Sequence, residues 1–563
     1  MTIAAELVDD PRLAGLMAKE AWRRARRRLR TSPSLLWLVH RRASESDRLM
    51  AVPRQIERGD RAVAEAIYGG RFELAGHVAL MGATTPFRVS EAPEGWQAEL
   101  ASFEWLRHLA EVEDALASAN ARAHVGDFYA LRRRRRAPVA MRPDIIARRL
   151  MALFTHAPLV LAQAEPAFTR RFLERLAGEA RLLRRMAPEV TDGLPRLQVR
   201  IALAYATLCL PGASAMIRTA GANLAAELDR QIFADGGHAC RNPDAIALLL
   251  KQLLPLRQLY SARNLAVPRG LFSAIDRMLP ALRFFLHADG SQAMFNGAGL
   301  VSRSLLAGLL RFDETLGDPV GHMRQSGYQR LAQGGAVLIA DAGLAPVATM
   351  SGEAHAGTLA FEFSSGRQRF VVNCGPSPRD EWRRLARATA AHSTVTVGDR
   401  SSSRFPRSER LGRFLGGPLV AGPTRVPATR QDGREGQHLT LAHDGYRAGF
   451  GLIHERELLL SPDGMLLEGA DRLHKAAGRG VRAGEAEGAL RFHLHPDVVA
   501  EQAGKGIRLA GGGEVWWFFA DAPVSLEDSI VFSCPDAPRP TAQIVARFEP
   551  GRAEINWRFE RQH

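Results

Sequence analysis

Two histidines and an asparagine stand at the ends of adjoining strand-like segments in the second half of the chain. His355 precedes one segment, Asn373 ends the next, and His392 opens a third. Side chains at neighbouring strand ends lie close together when the strands pair, so these three residues predict a converging set of ligands. Two imidazoles and an amide could hold a divalent metal, zinc or calcium, although an amide is a weak zinc ligand. A purely structural role for both histidines is the alternative.

A second group of chemically active residues falls in the loop 233–243, which reads FADGGHACRNP. Asn242 directly before a proline is typical of a helix N-cap, and capping alone explains this asparagine. Capping does not explain His238 and Arg241. Their side chains suit proton transfer and the binding of an anionic substrate.

Two kinds of element must position these groups. Between about residues 96 and 315, apolar residues recur at helical spacing in hairpin-length segments separated by Pro, Gly and Asp signals. After about residue 325, short segments rich in β-branched and aromatic residues follow, joined by glycine-bearing turns. Helices followed by strands indicate separate layers or domains rather than βαβ units.

The sequence therefore predicts an α+β multidomain protein, in which an N-terminal α/α toroid, an incomplete barrel of helical hairpins, precedes an antiparallel β-sandwich. We predict a basic N-terminal arm with helices over 1–95, the toroid over 96–320 and the sandwich over 325–563. No short repeat with a fixed motif is evident, which argues against TPR or ankyrin arrays.

The formal net charge is +15, carried mainly by arginine. Such a field attracts polyanions, although a GC-rich genome that encodes arginine in place of lysine explains the composition equally well. Residues 13–42 form a basic amphipathic segment that could lie on an anionic membrane, but we favour an arm packed on the domain. We interpret Arg132–Arg136 as a charged helix end, and we expect no nucleic-acid partner because no nucleic-acid-binding module accompanies it.

The four cysteines and the chain start exclude several classes of protein. No CxxC pair occurs, so a zinc ribbon, a thioredoxin motif or a disulfide framework is not expected. The first residues carry acids and lack a long apolar region, so no secretory signal is predicted. The sequence contains no stretch of about 18 apolar residues, so no transmembrane helix is predicted.

Taken together, several segments resemble the heparinase II/III-type polysaccharide lyases over roughly residues 95–560. The segments that carry the resemblance are ADGGHACRNP in the helical half and, in the β half, GEAHAGTLAFEF, FVVNCG, AHSTVTV, HDGY with GLIHERELLL, and RFHLHP. The resemblance implies β-elimination at a uronic acid. In that reaction one group neutralises the carboxylate, a base removes the C5 proton and an acid protonates the leaving oxygen.

The chain also departs from the family pattern. The family's hairpin motif H-x-H-x-D is here Glu353, His355 and Gly357, and the strand-end Asp of the metal set is Asn373. A Tyr-His pair expected after the ADGG loop falls near Asp244-Ala245, and an upstream Asn-His pair falls near Leu194-Pro195.

The resemblance implies the following roles. His238 would act as base or acid while Asn242 and Arg241 hold the carboxylate, and Glu353 and Tyr446 are further catalytic candidates. His355, His392 and Tyr260 would line the substrate cleft. The possible structural metal would be held by His355, Asn373 and His392.

The leading hypothesis is a lyase that cleaves a heparin-like or other acidic polysaccharide. The alternative is a catalytically altered relative that binds acidic glycan in bacterial cell-envelope polysaccharide metabolism. The family implies a place in the cell envelope or periplasm, whereas the absence of a visible signal leaves the cytoplasm as the alternative.

Overall fold

A computed structural model describes the chain from residue 3 to residue 562, apart from residues 4–5, 8–9, 31–47, 83, 90, 113, 133–134, 300, 315–316, 378, 477–486, 535–536 and 549–552. The end of the basic amphipathic segment, residues 31–42, and the middle of the arginine run therefore lie outside the described residues.

The first half is helical, and its helices begin at signals present in the sequence. The Asp114 carboxylate accepts the N–H of Ala117 and caps one helix, and prolines occupy the first turn of three others. The helices are α1 (Pro11–Arg30), α2 (Arg61–Tyr68), α3 (Glu94–Ser102), α4 (Leu106–Ala110), α5 (Ala115–Ala130), α6 (Pro143–Thr155), α7 (Ala157–Leu161), α8 (Pro166–Met186), α9 (Leu194–Cys209), α10 (Ser214–Gln231), α11 (Asp244–Ala262), α12 (Arg269–Phe284) and α13 (Arg303–Leu310).

These helices pack as hairpins around a central helix. α9 contacts α6, α10 and α11 and is buried along most of its length. A helix that is apolar all round must be enclosed by neighbours, and this explains the run LQVRIALAYATLC within it.

The second half is built from antiparallel strands with three short helices. A small hairpin of β1 (Arg71–Leu74) and β2 (His77–Leu80) precedes it in the helical half. The remaining strands are β3 (His322–Met323), β4 (Tyr328–Gln333), β5 (Ala336–Asp341), β6 (Phe361–Ser365), β7 (Gln368–Val372), β8 (Val395–Val397), β9 (Ala428–Gly433), β10 (Gly436–His443), β11 (Leu452–Leu460), β12 (Leu466–Lys475), β13 (Gly488–Leu494), β14 (Val499–Ala503), β15 (Gly506–Gly511), β16 (Glu514–Ala520), β17 (Val524–Val531), β18 (Arg539–Phe548) and β19 (Glu554–Arg561). The helices are α14 (Asp380–Ala386), α15 (Glu409–Leu415) and α16 (Arg447–Phe450).

Two large sheets form the sandwich. One follows the order β17-β18-β13-β7-β6-β5-β4-β3, with β8 paired to β13, and the other follows β14-β15-β16-β19-β12-β11-β10-β9. Apolar side chains from both sheets share one core, in which Trp516 and Trp557 pack with several phenylalanines.

The first sheet is the middle layer of the molecule. Along β5, Leu338 and Ala340 belong to the sandwich core, whereas Val337 and Ile339 belong to the core of the helical half. Because successive residues of a strand face opposite sides, a strand enclosed on both sides is apolar throughout. The uninterrupted run AVLIA is therefore explained by burial against helices on one face and strands on the other.

The predicted fold, a helical toroid followed by an antiparallel β-sandwich, is confirmed. The proposed domain limits stay a prediction, although the last helix of the first half ends at Leu310 and the first strand of the sandwich begins at His322. Within the described residues, no helix combines the length and the apolar character needed to cross a membrane.

Candidate functional site

Two loops of similar sequence contribute to the contact between the two halves. Residues 232–242 read IFADGGHACRN and residues 286–296 read LHADGSQAMFN, and each loop follows a helix. Each contains an Asp-Gly turn with a positive φ at the glycine, +82° at Gly236 and +78° at Gly290. Each is closed by an isolated bridge, Ile232 to His238 and Leu286 to Gln292. This internal repeat is the signal that would have identified the second loop from sequence.

Arg241 at the end of the first loop joins the halves. Its guanidinium forms a buried ion pair with Asp341 on β5 at 2.5 Å and donates to the carbonyls of Ser326, Gly327, Gly343 and Leu344. No donor is left for a substrate carboxylate. The structure therefore places Arg241 in the framework rather than in the substrate-binding role expected for it.

Asn296 at the end of the second loop completes the same junction. Its Nδ2 donates to the Tyr328 hydroxyl at 2.8 Å and to Asp341 at 2.9 Å. Its Oδ1 accepts the backbone N–H of His355 at 3.3 Å. Asn296 thereby fixes the hairpin loop of the sandwich against the helical half, a role that the sequence reasoning missed.

His238 also belongs to the framework. It is 1% exposed; its Nδ1 accepts the N–H of Cys240 at 3.0 Å, and its Nε2 donates to Gln231 at 2.7 Å. Burial, with a contribution from Arg230, lowers the pKa of His238 to about 3. Both ring nitrogens of His238 are hydrogen-bonded within the protein, so neither is free to act as the base or acid that the sequence led us to expect.

Asn242 and Glu353 face each other across the junction. A β-carbon on Gly297 would lie 2.5 Å from the Glu353 carbonyl oxygen and 3.3 Å from Asn242 Nδ2. The Asn242 Oδ1 caps α11 by accepting the N–H of Asp244 at 2.8 Å, and Nδ2 has no partner among the described residues. The exposed Glu353 carboxylate pairs with Arg383 on α14 at 2.5 Å. These groups lie together at the junction between the halves, where the family resemblance places the substrate cleft.

The histidine pair lies beside this cleft. His355 Nδ1 and His392 Nε2 are 3.0 Å apart. Because His392 Nδ1 donates to the Ala388 carbonyl at 2.8 Å, its Nε2 is the acceptor and His355 Nδ1 the donor. The lone pair on His355 Nε2 has no partner in the described part of the chain. Burial lowers the pKa of His392 to about 4 and that of His355 well below its ordinary value, so both rings are neutral.

The residues of the expected metal set do not fit a metal. Asn373 is 0% exposed; its Oδ1 accepts the Ser393 N–H at 3.2 Å, and its Nδ2 donates to the Met294 carbonyl at 3.2 Å. The facing histidine nitrogens bond to each other. Over the described ranges, no cluster of three or more His, Cys, Asp or Glu side chains suits a metal ion.

Gly357 supports the same conclusion. A β-carbon there would lie 2.6 Å from Cδ2 of the His392 ring. An aspartate at this position, as in the family motif, would displace the ring from its present place.

The two tyrosines named from sequence lie away from the cleft. Tyr446 is 1% exposed in the sandwich core and its hydroxyl donates to the Val395 carbonyl at 2.7 Å. Tyr260 lies sixteen residues beyond Asp244 on α11, a distance of about 24 Å along a helix. The structure therefore places neither hydroxyl where catalysis or substrate binding would need it.

Asp244 is a half-buried acid that the sequence analysis named only as a departure from the family pattern. Its Oδ2 accepts the N–H of Gly299 at 2.8 Å, whereas its Oδ1 is buried and has no partner within the described part of the chain. Burial raises the pKa of Asp244 to about 6. Burial also raises the pKa of Cys240 to about 12, with smaller contributions from Glu353 and Asp244.

Comparisons with known proteins agree with this architecture. A family model described as "Heparinase II/III-like, C-terminal" matches residues 315–558. FtsZ-localized protein C of Caulobacter vibrioides (strain NA1000 / CB15N) is 32% identical over 493 residues, which cover 85% of this chain and 84% of that protein. A heparinase III crystal structure aligns with a TM-score of 0.70 at 14% identity, covering 94% of this chain and 89% of that one. A heparan sulfate lyase HepC mutant from Pedobacter heparinus aligns with a TM-score of 0.56 at 15% identity, covering 98% and 90%. At these identities the solved structures establish the fold alone.

Proposed function

The chain belongs to the heparinase II/III-like family, and on that premise we propose that it binds an acidic polysaccharide in the cleft between its halves without cleaving it by β-elimination. This is the altered relative that the departures from the family motif suggested.

The observation that carries this proposal concerns the tyrosines, since a tyrosine often serves as the family's acid or base. The chain has six tyrosines. Three hydroxyls donate to backbone carbonyls, those of Tyr205, Tyr328 and Tyr446. The other three, those of Tyr68, Tyr129 and Tyr260, are buried and have no hydrogen-bond partner among the described residues. None is available to protonate a leaving glycosidic oxygen, a step that needs a positioned acid.

The cleft nevertheless offers groups that suit an acidic sugar. Asn242 Nδ2 is a free donor, Arg383 is a partly exposed cation, and the His355 Nε2 lone pair accepts a hydroxyl hydrogen. Arginine is suited to carboxylates and sulfates because its planar fork can bind them through two hydrogen bonds. These groups support recognition of a uronic acid or sulfated unit.

The test pairs a binding measurement with a turnover measurement. Heparin, heparan sulfate, polygalacturonate and hyaluronate are titrated into the protein by calorimetry, while absorbance of the unsaturated product is followed in parallel. We expect binding of at least one glycan and no absorbance change. Arg383→Ala and Asn242→Ala should each weaken binding about tenfold, the loss of one charge-assisted or polar contact, whereas Arg434→Ala on an exposed turn should not. Turnover by the wild-type protein would favour the lyase hypothesis instead.

A second candidate function is a role at the division site. The relative at 32% identity is named for its localisation with FtsZ, and the match covers both halves of this chain. We propose that this protein also localises with FtsZ. A fluorescent fusion in the native bacterium should coincide with the FtsZ ring and disperse when FtsZ is depleted. A uniform signal in cells with intact rings would contradict this proposal and leave the glycan proposal unaffected.

A further inference from the structure

We propose that a cavity beneath α1 binds a small amphiphilic anion, a molecule with one anionic head on a short aliphatic body. The cavity has a volume of about 500 Å³. It lies between α1 and two loops of the β half, residues 345–348 and 419–422, and no residue of the cleft described above lines it.

The roof of this cavity is held on both halves of the molecule. Arg23 donates to the Glu189 carbonyl of the helical half at 2.8 Å, and Arg24 donates to the Phe414 carbonyl of the β half at 2.6 Å. Leu13 is 1% exposed. α1 is therefore packed onto the domain, and the space beneath it is part of the fold.

Two cations line the cavity without partners. Arg12 and Lys19 are seven residues apart on α1, so they project from the same face. Neither side chain has an ion-pair partner in the part of the chain that the structure describes, and no carboxylate lines the cavity.

The described acids nearest along the chain, Asp10 and Glu20, already have other partners. Asp10 pairs with Arg404, and Glu20 pairs with Arg23 and Arg24. Among the described residues, an anion entering the cavity would therefore meet two cations without ion-pair partners and no competing carboxylate.

The remaining lining is aliphatic. Leu13, Leu16, Pro346, Leu419 and Val420 supply its apolar surface. Among the described residues the lining contains no aromatic ring and no hydroxyl or amide side chain. A sugar would need such groups for its hydroxyls, whereas an alkyl chain needs only apolar surface. The volume lies in the range of small-ligand sites, about 300–1,000 Å³.

The experiment uses decanoate as the probe, below its micelle concentration, titrated into the full chain by calorimetry. Acetate tests the head alone, decanol the chain alone, and a heparin-derived disaccharide the sugar alternative. We expect one decanoate per chain, bound at least about tenfold more tightly than acetate or decanol. Acetate lacks the alkyl chain that buries apolar area, and decanol lacks the charge-assisted hydrogen bond. Equal affinity for decanol, or for acetate, would overturn the assignment to an amphiphilic anion.

Two variants locate the binding. Gly15 lines the cavity and a β-carbon there meets nothing within 4 Å, so Gly15→Leu obstructs the cavity while favouring the helix. It should abolish decanoate binding without lowering the melting temperature. The double variant R12A/K19A should weaken binding about a hundredfold, about tenfold per charge-assisted bond, and the exposed Lys505→Ala is the charge control. Binding that survives both cavity variants, or disaccharide binding that Gly15→Leu abolishes, would refute the proposal.

Discussion

The β half contains two histidine pairs of nearly the same geometry. The rings of His355 and His392 lie 5.1 Å apart at 84°, and those of His443 and His454 lie 5.2 Å apart at 89°. The first pair borders the cleft and the second lies within the sandwich. Their hydrogen-bond chains begin differently: the first pair leaves one ring nitrogen without a partner among the described residues, whereas in the second pair every ring nitrogen is bonded.

The inner pair, His443 and His454, has no free nitrogen. The Gly445 N–H donates to His443 Nδ1, His443 Nε2 donates to His454 Nδ1, and His454 Nε2 donates to Asp471 at 2.7 Å. Asp471 also accepts from Arg456 and Trp557. Burial opposes the charge of Asp471, but Arg456 and His454 lower its pKa to about 2, so the network ends on a carboxylate.

In the outer pair, too, the first histidine, His355, donates to the second, His392. The hydrogen-bond chain ends on the Ala388 carbonyl and begins at the bare Nε2 of His355. Within the described ranges, no backbone N–H donates to that nitrogen. One lone pair is therefore left at the edge of the cleft.

Arg456 connects the two pairs. Its Nη1 donates to the carbonyls of Leu359 and Ser393, the residues that follow the hairpin loop and His392. Through Arg456, the hydrogen-bond network of the inner pair therefore holds the two strand starts that carry the outer pair. The inner pair supports the fold, whereas the outer pair presents a ring nitrogen without a described partner.

The largest expected effect comes from breaking the inner network. Asp471→Asn keeps the shape but leaves the buried Arg456 cation without its counter-charge, which should lower the free energy of unfolding by about 3–5 kcal/mol. Chemical denaturation measures the loss. Glu468→Gln, an exposed acid on the same strand, should change it by less than about 0.5 kcal/mol. An equal effect of both variants would show that the network is not a support.

Acidification should act on the outer pair. The pKa of His392 is lowered to about 4 in the folded state, whereas an unfolded histidine titrates near about 6.5. Between these values the unfolded chain binds a proton that the folded chain does not, so the free energy of unfolding falls as the pH falls. Stability is unaffected above about pH 6.5.

Urea unfolding at several pH values tests this expectation. Between about pH 6.5 and 4.5, His392→Asn should lose roughly 2 kcal/mol less stability than the wild-type protein. His77→Asn, on the exposed strand β2, controls for the removal of one histidine. Parallel profiles for the wild type and His392→Asn would contradict the folded-state pKa.

A smaller effect distinguishes recognition from support. His355→Ala removes the free lone pair and should weaken glycan binding about tenfold, the value of one hydrogen bond to a neutral acceptor. His443→Ala should lower stability by about 2 kcal/mol or more, since it leaves buried polar groups unpaired, and should change binding less. Calorimetry and thermal unfolding of both variants give the comparison, and a reversed order of effects would argue against it.

The sequence predicted the fold because each half carries its own periodicity, helical before residue 310 and alternating or fully apolar after 322. It also brought His355 and His392 to adjoining strand ends, where the structure finds them in contact. The expected roles of His238 and Arg241 depended on which donors remain free. His238 donates to Gln231 on the preceding helix, and Arg241 donates to Asp341, which lies a hundred residues away in the sequence. A single sequence does not reveal such partners, although the repeated ADG loop would have revealed Asn296.

The smallest effect concerns metal. The outer pair and Asn373 offer two neutral imidazoles already bonded to each other and an amide already bonded on both sides, with no anionic ligand. A zinc site in a protein usually gathers four ligands, including thiolates, imidazoles or carboxylates. Added zinc should therefore move the melting temperature by less than about 1 °C, since a ligand without affinity for the folded state gives no stabilisation.

A variant that restores the family's aspartate at position 373 tests directly whether these residues can hold a metal. Asn373→Asp would place a carboxylate 3.4 Å or less from the buried Glu362 carboxylate that Asn373 Nδ2 now contacts. Two like charges there destabilise the fold unless a cation separates them. We therefore expect Asn373→Asp to unfold at a lower temperature than the wild type, and zinc to recover part of the loss. A zinc-dependent rise of several degrees in the wild-type protein itself would overturn the conclusion that these residues do not hold a metal.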